Sequence, residues 1–138
     1  FKTAFCNLYL EWQKSPLISQ SFRQRLLKLA GITIGKNVEI EENVRFDTFY
    51  PEKISIGNRV IIKKGATIIT HEATVHNFRT GCVDIEDDVI IESGVKILPG
   101  VKIGKNSVIR SYLVVHNSVP PNSELKENVN NKRLDFTS

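Results

Sequence analysis

An isoleucine or valine returns every sixth residue along the second half of the chain, at Ile85, Ile91, Ile97, Ile103, Ile109 and Val115. The residues four places after these are mostly small or β-branched: Val89, Val95, Val101, Ser107, Leu113 and Val119. The same beat appears earlier at Ile34, Ile40 and Phe46, and again at Ile56, Ile62 and Ile68. A helix repeats every 3.6 residues and a strand every two, so neither alone makes a strict six. Three short strands, each turned on the last, do: they form an eighteen-residue coil, and stacked coils share one apolar interior. A period of this kind marks a solenoid.

Corner chemistry supports the same architecture. Two and three residues after the inward position come Lys36-Asn37, Glu42-Asn43, Lys64-Gly65, Asp87-Asp88, Ser93-Gly94, Pro99-Gly100 and Lys105-Asn106. Asn, Asp and Gly tolerate the positive φ that a tight corner needs. The coils read 34–51, 56–73, 85–102 and 103–120. The expected fold is therefore an all-β solenoid, a parallel β-helix of about four coils over residues 34–120. Residues 1–33 lack the beat. Pro16 divides them, and Leu17, Ile18, Phe22, Leu26, Leu27 and Leu29 recur at helical spacing before Gly31, which predicts a capping helix over the open end of the column. Pro120 and Pro121 end the repeat, leaving 121–138 as a polar tail.

The beat is broken twice. Four extra residues separate Phe46 from Ile56, and eleven separate Ile68 from Ile85. Both insertions fall at the third corner of their coil and are expected on one edge of the prism. Loops carried by a rigid scaffold are where function concentrates. The longer one, 71–84, opens with His71, at a corner position, and His76 follows five residues later. A histidine at the junction of scaffold and loop is held firmly and still reaches a cleft, as a general base requires. Glu72 and Asp84 are the nearby carboxylates in sequence and are candidates to orient its ring.

The chain contains 19 Lys and Arg against 15 Asp and Glu, a net charge of +4. The basic residues are scattered with no aromatic-basic module, so nucleic acid is not an expected partner. Arg23, Arg25 and Lys28 lie in the predicted helix, but no apolar run reaches the length of a membrane span and membrane contact is not expected. Two cysteines, Cys6 and Cys82, do not form a disulfide framework, which points to a reducing, cytoplasmic setting.

The hexads, the extruded loop that opens with His71, and the stretch "VDIEDDVIIESGVKILPGVKIGKNSVI…VPPNS" together resemble the hexapeptide-repeat acyltransferases. The similarity runs over residues 34–123 and is greatest to the type that acetylates maltose, galactosides and polysaccharide building blocks. The resemblance implies a left-handed β-helix and a homotrimer with active sites between subunits. It further implies acetyl-CoA as co-substrate with no permanently bound cofactor or metal, and a sugar hydroxyl as acceptor. His71 then stands for the family's general base; the tetrahedral oxyanion of such a transfer needs a donor, for which a backbone N–H near the loop is expected. Ser93 and Ser111 fall at coenzyme A positions and Asp47 near an acceptor-binding carboxylate. From its place in the loop, His76 is a candidate acceptor contact, and Phe78 is expected to pack the loop against the neighbouring subunit and so shape the acceptor pocket. Lys132 and Arg133 are placed to meet coenzyme A phosphates.

Departures stand beside the matches. Ile90 replaces a common Trp, Arg110-Ser111-Tyr112-Leu113 replaces a run of small residues beside the pantetheine arm, and the tail lacks the usual ending. Arg110 and Tyr112 are expected to narrow that groove. Three alternatives follow: an N-acyltransferase on an amino sugar, a trimeric scaffold without activity, and a zinc enzyme of the γ-carbonic-anhydrase type. The zinc reading needs a third histidine where this chain has Gly35, and His116 is the only other one.

Overall fold

A computed structural model describes residues 2–127 and 134–137. Each hexad ends in a strand of two or three residues, and strands one coil apart pair in parallel to form three faces. The first face stacks Thr33–Ile34, Ile54–Ile56, Val83–Ile85 and Lys102–Ile103. The second stacks Glu39–Ile40, Ile61–Ile62, Ile90–Ile91, Val108–Ile109 and Glu124–Glu127. The third stacks Arg45–Phe46, Thr67–Ile68, Lys96–Ile97 and Val114–Val115. Register follows the arithmetic of the sequence. Thr33 pairs with Ser55 across the four-residue insertion, Ser55 with Asp84 across the eleven-residue one, and Asp84 with Lys102 one bare coil on.

Every inward isoleucine from Ile40 to Ile109 on the beat is sealed from solvent, and Val89, Val95 and Val101 fill the corners between them. Full burial of one such side chain is worth about 1.5–3 kcal/mol, so the column is held by its repeat rather than by any single contact. At the corners, Asn37, Asn43, Gly65, Asp88, Gly94, Gly100 and Asn106 all take positive φ, between 55° and 84°. Arg59, Tyr112 and Asn122 do so as well. Arg59 is held there by a two-pronged pair with Asp88, at 2.6 and 2.9 Å.

The cap differs from the expected single helix. Helix α1 (Lys2–Trp12) precedes α2 (Gln20–Ala30). Ser19 caps the start of α2 by accepting the Phe22 N–H, and Gly31, at φ 112°, ends it. The seal on the first coil is polar. Gln20 donates to the Ile40 carbonyl and accepts its N–H, Gln24 donates to Val38, and Gln13 to Val44. Buried Arg23 donates to the carbonyls of Gln13, Ile40 and Ser15. An exposed strand edge presents unpaired N–H and C=O groups, and these side chains satisfy them. Apolar periodicity marks α2 but not this polar seal.

At the other end the column continues past the expected limit at residue 120. Glu124–Glu127 adds a fifth rung to the second face, with Leu125 buried in the beat, and Leu134–Thr137 returns antiparallel to it. The beat slips here. Ile109 pairs with Leu125 and Ile103 with Val119, each two residues short of a full coil.

Candidate active site

Both insertions leave the third face at the same corner, because Arg45–Phe46 pairs directly with Thr67–Ile68. The shorter one turns through a single 3-10 turn at Pro51–Lys53. The longer one is a hairpin, His71–Ala73 against Phe78–Thr80, closed by the Thr74 N–H to the Asn77 carbonyl at 2.7 Å. Its root is clamped by the Gly81 N–H to the Thr70 carbonyl at 2.9 Å. A Cβ at Gly81 would sit 2.5 Å from the Gly100 backbone nitrogen, so only glycine fits there. Lys53 ties the insertions together, donating to the Thr80 hydroxyl at 2.8 Å while lying over the Tyr50 ring.

His71 stands at the root of the hairpin with its side chain 26% exposed, directly over Asp47, whose side chain is 0% exposed. The contact between His71 Nδ1 and Asp47 Oδ2 is 2.5 Å. The same oxygen accepts the N–H groups of Thr70 at 2.8 Å and His71 at 3.1 Å. Oδ1 accepts those of Phe49 at 2.8 Å and Tyr50 at 3.2 Å. Burial pushes the Asp47 carboxyl up, but hydrogen bonds from the Thr70 and Phe49 N–H groups and the His71 ring outweigh it and hold it below its ordinary value. An ionised Asp47 can only accept, so Nδ1 of His71 donates to it, and in the neutral ring the lone pair lies on Nε2. Nε2 has no hydrogen-bond partner among the described residues.

This corrects two expectations. Asp47 does not face an acceptor, because both its oxygens are already taken by five N–H donors. Neither Glu72 nor Asp84 orients the ring: Glu72 pairs with Arg79 across the hairpin at 3.0 Å, and Asp84 lies on the first face beside Ser55.

Aromatic side chains surround the imidazole. The Phe49 ring meets it edge-on at 4.9 Å, and those of Tyr50 and Phe78 stand at 6.1 Å. Phe49 and Tyr50 belong to the short insertion and carry no sequence signal beyond that insertion itself. Thr70 is buried beside His71, and its hydroxyl donates to the Tyr50 carbonyl. His76 is exposed in the hairpin turn, away from the dyad in sequence and strand register.

The expected coenzyme A positions lie elsewhere on the prism. Ser93 and Ser111 share the corner between the second and third faces, one coil apart, where the Tyr112 N–H donates to the Ser93 carbonyl. His71 occupies the corner between the third and first. Arg110 is drawn along the second face by Glu92 and Glu124, at 2.9 and 2.5 Å, rather than into the groove. Tyr112 lies across Gly94, where a Cβ would come within 2.5 Å of its ring. Lys132 and Arg133 lie outside the described residues. His116 and Cys82 are exposed. Among the described residues, no three His, Cys, Asp or Glu side chains converge to hold a metal ion. No helix among them is long and apolar enough to cross a membrane.

Comparison with known proteins agrees with this architecture. Residues 83–117 match the family model "Bacterial transferase hexapeptide (six repeats)". The "Putative acetyltransferase YvoF" of Bacillus subtilis (strain 168) is 42% identical over 87 residues, 63% of this chain and 51% of that one. The chain thus spans about half the length of that relative. The "Putative acetyltransferase SAS0727" of Staphylococcus aureus (strain MSSA476) is 36% identical over 123 residues, covering 88% of this chain and 76% of that one. The galactoside O-acetyltransferase of Escherichia coli (strain K12) is 30% identical over 125 residues, covering 72% and 62%. Among solved structures, a hexapeptide-repeat acetyltransferase of Vibrio cholerae in complex with acetyl coenzyme A superposes with a TM-score of 0.76 at 22% identity, over 96% of this chain and 85% of that one. The fold is the left-handed parallel β-helix.

Proposed function

We propose that this chain, which belongs to the hexapeptide-repeat acetyltransferases, moves an acetyl group from acetyl-CoA to a sugar hydroxyl with His71 as general base. The observation that carries this reading is the His71–Asp47 dyad at the root of the hairpin. Asp47 fixes the tautomer, so Nε2 offers a lone pair to the acceptor hydroxyl. As the acceptor oxygen attacks the thioester carbonyl carbon, its proton passes to Nε2, and Asp47 stabilises the imidazolium that forms. Collapse of the tetrahedral intermediate breaks the C–S bond, and the Nε2 proton passes to the departing thiolate. The products are the acetyl ester and coenzyme A, with His71 again neutral.

The donor position supports assembly. Ser93 and Ser111 sit on a different corner of the prism from His71, which supports a reading in which a second copy brings them to the thioester beside the imidazole. A trimer with sites between subunits accommodates both corners. The sugar acceptor is favoured by the likeness to galactoside O-acetyltransferase.

The test pairs binding with turnover. Acetyl-CoA at about 100 times its Kd stabilises the wild type by roughly 2.7 kcal/mol in thermal unfolding. His71→Ala keeps that stabilisation and loses about 10²–10⁴-fold in kcat, followed by thiol release with a glycoside acceptor. Full turnover by His71→Ala, or no saturable response to acetyl-CoA, overturns the reading.

A further inference from the structure

Among the described residues, six of the eleven exposed large apolar side chains lie in the cap: Phe5, Leu8, Trp12, Leu17, Phe22 and Leu29. The cap is less than a quarter of the chain, so this is a cluster and not the usual scatter of surface hydrophobics. Phe5, Leu8 and Trp12 stand at i, i+3 and i+7 and share one face of α1. Cys6 and Leu10, on its other side, are buried. A helix apolar on both sides is one that is covered on both. Phe22, Arg25 and Leu29 repeat the spacing on the exposed face of α2. The helices run antiparallel, since Cys6 meets Ala30 and Arg23 meets Gln13. Phe5 therefore lies toward the Leu29 end of the cap and Trp12 toward the Phe22 end, with Leu17, 92% exposed, in the connection between them.

Charge is distributed as unevenly. Residues 1–30 hold five Lys and Arg against one carboxylate, Glu11, so the whole net charge of +4 belongs to the cap and residues 31–138 are balanced. Lys14 is paired with Glu11 at 2.6 Å, and Arg23 is buried in the polar seal. Arg25 and Lys28 are exposed on α2 and have no carboxylate partner among the described residues.

We propose that the capped end of the column docks on an anionic membrane surface. The aromatic and leucine side chains enter the boundary between head groups and acyl chains, and Arg25 and Lys28 meet lipid phosphates. Trp12 suits that boundary, with an apolar ring and a polar N–H. Such docking needs a face and not a span, so the length of the apolar runs does not bear on it. A second copy is the rival occupant, and charge opposes it: two caps brought face to face set one cationic surface against its own kind. His71 and the two serines lie at corners, on the sides of the column, and the inference does not depend on the acetyl-transfer reading.

The full chain carries its own reporter, because Trp12 is its single tryptophan and is 57% exposed. Its emission is followed with vesicles of phosphatidylcholine alone or mixed with phosphatidylglycerol, and bound protein is measured by flotation. With the anionic vesicles the emission shifts blue and is quenched by lipids brominated in the acyl chain; neutral vesicles produce neither. Added salt weakens the binding. Arg25→Glu with Lys28→Glu lowers the partition constant about 10–100-fold. Phe5→Ser with Leu17→Ser lowers it about 10-fold. His71→Ala binds as the wild type does.

Equal partitioning into neutral and anionic vesicles, or binding to neither, overturns the proposal. So does undiminished binding by the charge-reversed variant, shown to be folded by thermal unfolding; if that variant does not fold, the two vesicle types with the wild type decide alone. A blue shift that grows with protein concentration in the absence of lipid, with a matching rise in mass by light scattering, assigns the stripe to a second copy and also overturns it.

Discussion

Replacing Asp47 by asparagine tests the dyad with the least change of shape. Five N–H groups point at the two carboxylate oxygens, three at Oδ2 and two at Oδ1. An amide has one oxygen, and it settles on the side with three donors, beneath His71. The tautomer is then retained, but the NH₂ faces the N–H groups of Phe49 and Tyr50, and the negative charge is gone. Two orphaned backbone donors cost about 1–3 kcal/mol each, the Tyr50 bond being the weaker, so stability falls by roughly 2–4 kcal/mol. For a chain of this length that lowers Tm by roughly 5–15 °C. In the transition state the bond to the imidazolium survives but loses its charge assistance, a difference of about 1–1.5 kcal/mol, which is about 5–13-fold in kcat. Acetyl-CoA binding is unaffected.

The same variant carries a pH signature. The folded Asp47 carboxyl lies below its unperturbed value of 3.8. Its stabilisation is fully present above that value and is lost as pH falls through the depressed folded one. The Tm gap between wild type and Asp47→Asn is therefore constant from about pH 5 upward and narrows below about pH 4. Calorimetry across this range and steady-state thiol release at neutral pH test both halves. A folded Asp47→Asn protein with kcat within about threefold of wild type would refute the positioning role assigned to the carboxylate.

Two further substitutions address the scaffold. Gly81→Ala places a Cβ 2.5 Å from the Gly100 nitrogen and 2.8 Å from its Cα, both backbone atoms that cannot swing aside. It is expected to cost more than about 2 kcal/mol and to loosen the hairpin root, with a larger fall in kcat than in acetyl-CoA affinity; chemical denaturation and kinetics read the two. Arg23→Met removes a guanidinium bonded to the carbonyls of Gln13, Ile40 and Ser15. Those acceptors are left in a buried cap, and a loss of about 2–4 kcal/mol is expected by denaturant titration, with association of the uncapped first coil at higher protein concentration.

The column was legible because one period carries two signals, an inward Ile or Val and a corner Asn, Asp or Gly. The hairpin was legible as the larger interruption. The dyad was harder to read. Asp47 is 24 residues from His71, and proximity in sequence favours Glu72. Only the register of Arg45–Phe46 beneath Thr67–Ile68 brings the carboxylate under the ring. The fifth rung escaped because the beat drops two residues before Val119, which puts Leu125 out of phase with Val115. Helix α1 and the polar seal escaped because glutamines and an arginine satisfy backbone groups there, and such residues have no apolar period to follow.

The sequence alone therefore determined the prism, its corners and the edge from which function emerges, since these depend on a local repeat that each coil enforces on the next. Tertiary structure decided which carboxylate serves the base, which rings flank it and which corner each candidate residue occupies. Those depend on pairing between coils, where an insertion shifts every downstream partner while leaving the local pattern unchanged.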